Sequence, residues 1–287
     1  MTAAPEVCGF FDNSTNAVTY LVWDSVSREA AVIDPVLDFD AASGRVERRS
    51  VQAVLDVASA RDLDIGLVLE THVHADHLSG ARAIVEATGA KLGIGARICE
   101  VQAAFAPMFG ADDIKPEGAD FDILLREGDT LPLGNLRIEV LEVPGHTPAD
   151  VAYRIGDAVF VGDSLFMPDF GTARTDFPGG DARQLYRSIR KLLALPSETR
   201  LFMCHDYKAP GRDEFRWETT VAAERENVHL AGGVTEDAFV AMREGRDATL
   251  ATPKLLLPSI QVNMRGGRFP PAEPDGRCRL RIPVQLN

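Results

Sequence analysis

Thr71-His72-Val73-His74-Ala75-Asp76-His77 comes one residue after an apolar run, Ile65-Gly66-Leu67-Val68-Leu69, whose composition and length are those of a buried strand. Three imidazoles and a carboxylate fall within six residues. At this chain's histidine frequency such an H-x-H-x-D-H pattern would arise by chance about once in several thousand. In an extended loop, alternation lets His72 and His74 approach one point, while Asp76 and His77, at the turn into a helix expected over 78–88, face a second point nearby. Imidazole nitrogen with carboxylate oxygen suits zinc, iron or manganese rather than calcium or magnesium. The bland alternative is a polar helix start with solvated histidines, but clustered imidazoles call for a compensating cation.

Working outward, Val18-Thr19-Tyr20-Leu21-Val22-Trp23 and Glu29-Ala30-Ala31-Val32-Ile33-Asp34 read as a hairpin, and Val51 to Ala58 has helical periodicity. Beyond the loop the pattern predicts a helix ended by Gly89, a strand at Lys91-Leu92-Gly93-Ile94 and a helix over 97–104. The stretch 107–121 is acidic and turn-rich, without a clear period. Strands follow over 131–143, leading to Pro144-Gly145-His146-Thr147-Pro148, and a hairpin over 150–161 leads to Gly162-Asp163-Ser164. Asp181 is placed to cap a helix with Leu185, Ile189, Leu192 and Leu193 on one face, and Arg200 to Cys204 is a strand ending in His205-Asp206-Tyr207. The remainder predicts two helices, 213–227 and 235–244, then an irregular Pro/Gly/Arg-rich end over 258–274. Five of the six histidines, and Asp163, thus follow strands, which makes one edge of a sheet-based sandwich the meeting place of the donors. His229 stands apart and is expected at the surface.

Size and composition bound the function. A chain of 287 residues with 45% hydrophobic content is expected to form a single domain, with a short C-terminal extension from about residue 228. A net charge of −13 argues against nucleic-acid binding, because phosphate recognition needs a basic face. No apolar run is long enough to span a bilayer, and Met1-Thr2-Ala3-Ala4-Pro5-Glu6 lacks the features of a signal peptide, so no membrane association and a cytoplasmic location are expected. Cys8, Cys99, Cys204 and Cys278 are scattered, as expected of reduced thiols, with Cys204 notable for preceding His205. A homo-oligomer is expected, although no apolar stripe marks its interface.

The order T-H-V-H-A-D-H, P-G-H-T, G-D-S and C-H-D resembles the metallo-β-lactamase superfamily over residues 15–225 or so. The resemblance implies an α/β fold, the four-layer αβ/βα sandwich. In the glyoxalase II branch it implies two metals, with His72, His74 and His146 on one, Asp76, His77 and His205 on the other, and Asp163 between them. Asp34-Pro35-Val36, residues 71–80, Gly171-Thr172-Ala173-Arg174-Thr175-Asp176-Phe177 and His205-Asp206-Tyr207 are more similar to the persulfide dioxygenases of the same fold. Pro258-Ser259-Ile260-Gln261-Val262-Asn263 with Arg265-Gly266-Gly267-Arg268 resembles a bacterial subgroup of that family.

That likeness implies one Fe(II) per chain, held by His72, His146 and Asp163, with His74, Asp76, His77 and His205 around it and Zn2+ as the alternative ion. The implied substrates are glutathione persulfide and O2, with sulfite and glutathione as products. Arg174 is then the leading clamp for a glutathione carboxylate, against the alternative of an arginine paired with Asp169 or Asp176. Tyr207 and Arg265 are further candidate contacts, and Lys208 and Arg212 are other cationic options. The rivals are a dinuclear zinc hydrolase of glutathione thioesters and a non-catalytic metal or sulfur carrier.

Overall fold

The computed structural model describes residues 4–284 and 286; residues 1–3, on which the signal-peptide expectation partly rests, lie outside the described residues. The first half of the chain runs β1 (Glu6–Asp12), β2 (Ala17–Trp23), β3 (Glu29–Ile33), β4 (Val36–Asp40), β5 (Arg45–Glu47), α1 (Arg49–Ala60), β6 (Asp64–Leu69), β7 (Leu78–Ser79), α2 (Ala81–Thr88), β8 (Lys91–Gly95), α3 (Ile98–Phe109) and β9 (Ile123–Leu125). The second half runs β10 (Thr130–Leu133), β11 (Leu136–Glu142), β12 (Val151–Ile155), β13 (Ala158–Phe160), α4 (Ala182–Leu193), β14 (Arg200–Phe202), β15 (Glu218–Thr220), α5 (Val221–Glu224), α6 (Glu236–Asp247) and α7 (Leu256–Asn263).

Two six-stranded sheets result, ordered β1-β2-β3-β6-β8-β9 and β10-β11-β12-β13-β14-β15, with a small third sheet β5-β4-β7. Each half makes an antiparallel start, and β3, β6, β8 and β9 are then parallel, as crossovers through α1, α2 and α3 require. Three apolar layers hold the sandwich together. Val32, Val68 and Leu92 on the outer face of the first sheet pack with α1, α2 and α3 residues such as Val54, Ile84 and Val101. Val18, Tyr20, Ile33, Val140, Tyr153 and Phe160 fill the space between the sheets. Val159 and Leu201 on the outer face of the second sheet pack with Leu185, Ile189 and Phe239 of α4 and α6. This is the expected four-layer sandwich, and it explains why β2 is buried along its whole length: both of its faces are covered.

Backbone bonds stitch the two halves at the edge where the donors sit. Val18 N donates to Cys204 O at 2.8 Å, and Val151 N donates to Thr71 O at 2.9 Å. The Tyr20 hydroxyl donates to Met203 O at 2.5 Å, and the Tyr153 hydroxyl to Glu70 O at 2.7 Å.

Several local expectations hold in detail. Gly89 takes a left-handed conformation, φ 77°, and ends α2, while the Asp181 carboxylate caps α4 by accepting from Arg183 N and Gln184 N. Others need correction. The helix expected from Leu78 starts instead at Ala81, because Leu78 and Ser79 pair with Leu37 and Val36 of β4. The helix expected over 213–227 is mostly irregular: residues 218–220 form strand β15, which pairs with β14 as an edge, and one turn of helix, Val221–Glu224, follows, capped by Thr220. The irregular end expected from Pro258 begins within α7. Pro258 occupies the first turn of that helix, where an amide proton has no intrahelical acceptor, so the ring costs nothing. His229 is half-buried rather than at the surface, its Nδ1 accepting from Thr172 N at 3.0 Å.

Candidate metal centre

His72, His74, Asp76 and His77 lie in the loop between β6 and β7, His146 follows β11, Asp163 sits in a 3-10 turn after β13, and His205 follows β14. Because β11, β13 and β14 run in the same direction, their ends share one rim, and the stitches between sheets bring the β6 loop onto it. The seven side chains form two groups whose ligand atoms lie within 4.8 Å of one another: His72, His146 and Asp163, and His74, Asp76, His77 and His205. Asp163 faces both. Its Oδ2 is 3.9 Å from His72 Nε2 and 3.7 Å from His146 Nε2, whereas Oδ1 is 3.5 Å from His205 Nε2. His74 groups with Asp76, His77 and His205, whereas the glyoxalase II likeness implied His72 and His146; its ring lies 4.1 Å from that of His72 and 4.2 Å from that of His77.

The outward partner of each ring decides which nitrogen is free. A carbonyl can only accept, so His146 Nδ1 must donate to Arg174 O at 2.7 Å, and His205 Nδ1 to Asn16 O at 3.2 Å. The single hydroxyl proton of Thr71 goes to Asp34 Oδ2 at 2.9 Å, so His72 Nδ1 donates to the Thr71 oxygen, also at 2.9 Å. His77 Nδ1 faces Asp76 Oδ1 at 3.2 Å, and His74 Nε2 faces Asp34 Oδ1 at 3.0 Å and Glu70 Oε2 at 3.2 Å. Each of the five histidines thus has its outer nitrogen anchored, leaving Nε2 of His72, His77, His146 and His205 and Nδ1 of His74 toward the centre.

A cation fits what is left over. His74 Nδ1, His77 Nε2, His205 Nε2 and Asp163 Oδ1 are buried and make no hydrogen bond; His205 Nε2 lies 3.1 Å from Asp76 Oδ2 but is not aligned for one. Each such atom would cost about 1–3 kcal/mol if left unpaired. Donors of nitrogen and oxygen type in this number match zinc or a first-row transition metal, so the residues accept the metal that the resemblance implies.

The electrostatics of the metal-free chain agree. Burial and the neighbouring imidazoles hold His72 well below the ordinary histidine range, and burial also lowers His77. For His74 and His205 burial again disfavours charge, but Asp34 overrides it at His74, and Asp76 with Asp163 at His205, so both are raised well above that range. Those carboxylates draw in protons whose place a bound cation would take.

Of the other expected site residues, Tyr207 is at the rim. It is 39% exposed, and its ring stacks on that of His205 at 5.5 Å, beside Phe166 and Phe170. Lys208, in a left-handed conformation at φ 58°, places Nζ over the Phe215 ring at 4.1 Å. The Arg174 guanidinium is turned to Asp176, with two bonds of 2.6 Å, and to Ala251 O at 2.8 Å, so its fork is occupied; its backbone carbonyl is what meets the site. Arg212 is bonded to Asp206 and Asp169. Arg265 is buried, with Asp113 on one side and Gln261 O on the other, and is not among the grouped donors. Sequence reasoning missed Glu70, Thr71 and Asp34 as ring anchors. The available signal was a carboxylate at each buried strand end, Asp34 after β3 and Glu70 after β6, where an apolar residue would ordinarily continue.

This arrangement, a four-layer sandwich with its metal donors on one rim, is that of the metallo-β-lactamase superfamily. The chain belongs to that superfamily, whose family model matches residues 14–205. It is 51% identical to a "Probable metallo-hydrolase" of Burkholderia pseudomallei, covering 96% of this chain and 98% of the relative, and 41% identical to "Glyoxylase B2" of Dictyostelium discoideum, covering 92% and 91%. It is 29% identical to the mitochondrial "Persulfide dioxygenase ETHE1" of Mus musculus, over 91% of this chain and 89% of the relative. The crystal structure of ETHE1 from Myxococcus xanthus superposes with a TM-score of 0.73 at 31% identity, covering 92% of this chain and all of that one.

Proposed function

We propose that this chain is a persulfide dioxygenase, with one Fe(II) held by His72, His146 and Asp163 and with glutathione persulfide and O2 as substrates. The observation that supports this most directly is that these two histidines and one carboxylate come together as one group, the donor set that leaves adjacent positions free in non-haem iron oxygenases. The likeness to ETHE1 along nearly the whole chain points the same way. Iron, when bound, supplies the electron-transfer chemistry that no side chain offers. The overall change balances as one persulfide, one O2 and one water giving glutathione, sulfite and two protons. The outer sulfur loses four electrons and dioxygen gains them.

The chain's own groups supply position. Thr71, Arg174 O and Asn16 O hold His72, His146 and His205 by their outer nitrogens, so the inner ones are fixed before any substrate arrives. Phe166, Phe170 and Tyr207 form an aromatic wall beside His205, which suits a sulfur chain and excludes water from it. Because the fork of Arg174 is occupied, Tyr207 at the rim, with Lys208 next to it in sequence, is left to meet the peptide and carboxylate oxygens of glutathione.

A second reading, a dinuclear zinc hydrolase of glutathione thioesters, is favoured by one observation: Asp163 turns an oxygen to each group, and the second group is complete. The experiment that separates them is metal content after purification without added metal, followed by two assays. One iron per chain with O2 uptake on adding glutathione persulfide supports the oxygenase. Two zincs with hydrolysis of lactoylglutathione overturns it, and bound metal with neither activity supports a carrier.

A further inference from the structure

We propose that Asn263, the last residue of α7, is a positioning residue for the metal loop. The residue is 4% exposed, and its carboxamide makes three hydrogen bonds, two to that loop and one to β7. Oδ1 accepts from Ser79 N at 2.8 Å, and the two protons of Nδ2 go to His74 O and His77 O, both at 2.8 Å. The two carbonyls belong to a segment without strand or helix pairing, between β6 and β7, where buried backbone oxygens would otherwise be orphaned. One carboxamide therefore fixes the backbone on both sides of Ala75 and Asp76, the turn that aims His74, Asp76 and His77.

The same helix also pins neighbouring segments, including the C-terminal tail. Gln261, two residues earlier on α7, accepts from Arg281 N at 2.8 Å and donates to Arg281 O at 2.9 Å. Gln102 of α3 donates to Met264 O at 3.0 Å, and Arg265 forks onto Asp113 at 2.8 Å. Ser79, whose amide Asn263 receives, turns its hydroxyl to Glu70, and Glu70 faces the His74 ring. Ring and backbone of His74 are thus held from opposite sides by residues that are not donors themselves. Asn263 lies beyond residues 14–205, the part matched by the superfamily model, so this C-terminal helix adds to the centre something the shared core does not contain.

The inference rests on reading the cluster as a cation site, not on the identity of the reaction. The probe is Co2+, whose visible absorption reports affinity and ligand field together, measured alongside thermal unfolding. Asn263→Asp has the same size and keeps the acceptor for Ser79 N, but it loses both donors. It is expected to weaken Co2+ binding about 10–100-fold and to change the absorption bands. Asn263→Ala, with no charge to bury, gives the same readout should the aspartate variant not fold. Gln261→Ala, which frees the tail without touching the loop, is expected to lower the melting temperature while leaving Co2+ affinity within twofold. Co2+ binding by the Asn263 variants equal to that of the unaltered chain overturns the proposal, as does an equal loss of affinity in Gln261→Ala. An unaltered chain that binds Co2+ but, loaded with iron, consumes no O2 with persulfide refutes the proposed reaction and leaves the role of Asn263 standing.

Discussion

Among the described residues, no cation pairs with Glu224 on α5. Its side chain is buried, Asn227 Nδ2 donates to its Oε2 at 2.8 Å, and its Oε1 makes no hydrogen bond. Burial raises its pKa from an ordinary 4.5 to about 8, with the Asn227 bond opposing and the charge of Asp169 adding to the rise. The group is therefore a neutral acid in the folded chain at pH 7 and a carboxylate in the unfolded one. Since the folded value lies above the unfolded one, its contribution to stability is complete below about pH 4.5 and is lost as pH rises through about 8. At about 1.4 kcal/mol per tenfold, the ceiling is roughly 5 kcal/mol, shed at close to 1.4 kcal/mol per pH unit between about pH 5 and pH 8.

Glu224→Gln keeps the acceptor for Asn227 and cannot ionise. Urea unfolding of both chains at half-unit steps from pH 5 to pH 8.5 isolates the contribution, because every other titrating group cancels in the difference. The unaltered chain is expected to fall relative to Glu224→Gln by several kcal/mol across that range. Two profiles that stay parallel refute the reasoning, and would mean that water or rearrangement solvates the carboxylate in the folded state.

Thr71→Val removes the hydroxyl that joins His72 to Asp34 and is expected to weaken metal binding about 10–100-fold, read by metal titration. Arg174→Ala is expected to lower stability by about 1 kcal/mol and to leave KM for the persulfide within a factor of about three, since the guanidinium is committed to Asp176 and Ala251; a large rise in KM at unchanged metal content would restore it as a clamp. Gly171 has φ 115°, and a Cβ there would lie 2.2 Å from His229 Cε1. Gly171→Ala should therefore cost on the order of 3 kcal/mol in thermal or urea unfolding, of which His229→Ala in the same chain recovers only the steric part.

Much of this was legible because donors are written locally. The H-x-H-x-D-H run, His146 after β11, Asp163 after β13 and His205 after β14 each sit at a strand end, and strand ends can be read from apolar runs. The layers followed from the alternation of strand and helix. What was not legible depends on partners distant in sequence. Residues 218–220 carry no alternation of their own and become strand only because β14 offers an open edge. The helix ending at Asn263 was hidden by Pro258, whose effect depends on where in the helix it falls. The pairing of Arg174 with Asp176 was already one of its two readings, because the partner is two residues away, but Arg265 looked like a free cation because Asp113 is 152 residues from it.

Asp163 has one oxygen for each half of the donor set. Electron density drawn through either oxygen leaves less for the other, so the two positions share a single ligand's basicity and do not fill as independent vessels. Loading at one end should set the appetite of the other, and the same seven residues can serve one ion or two without any change of sequence.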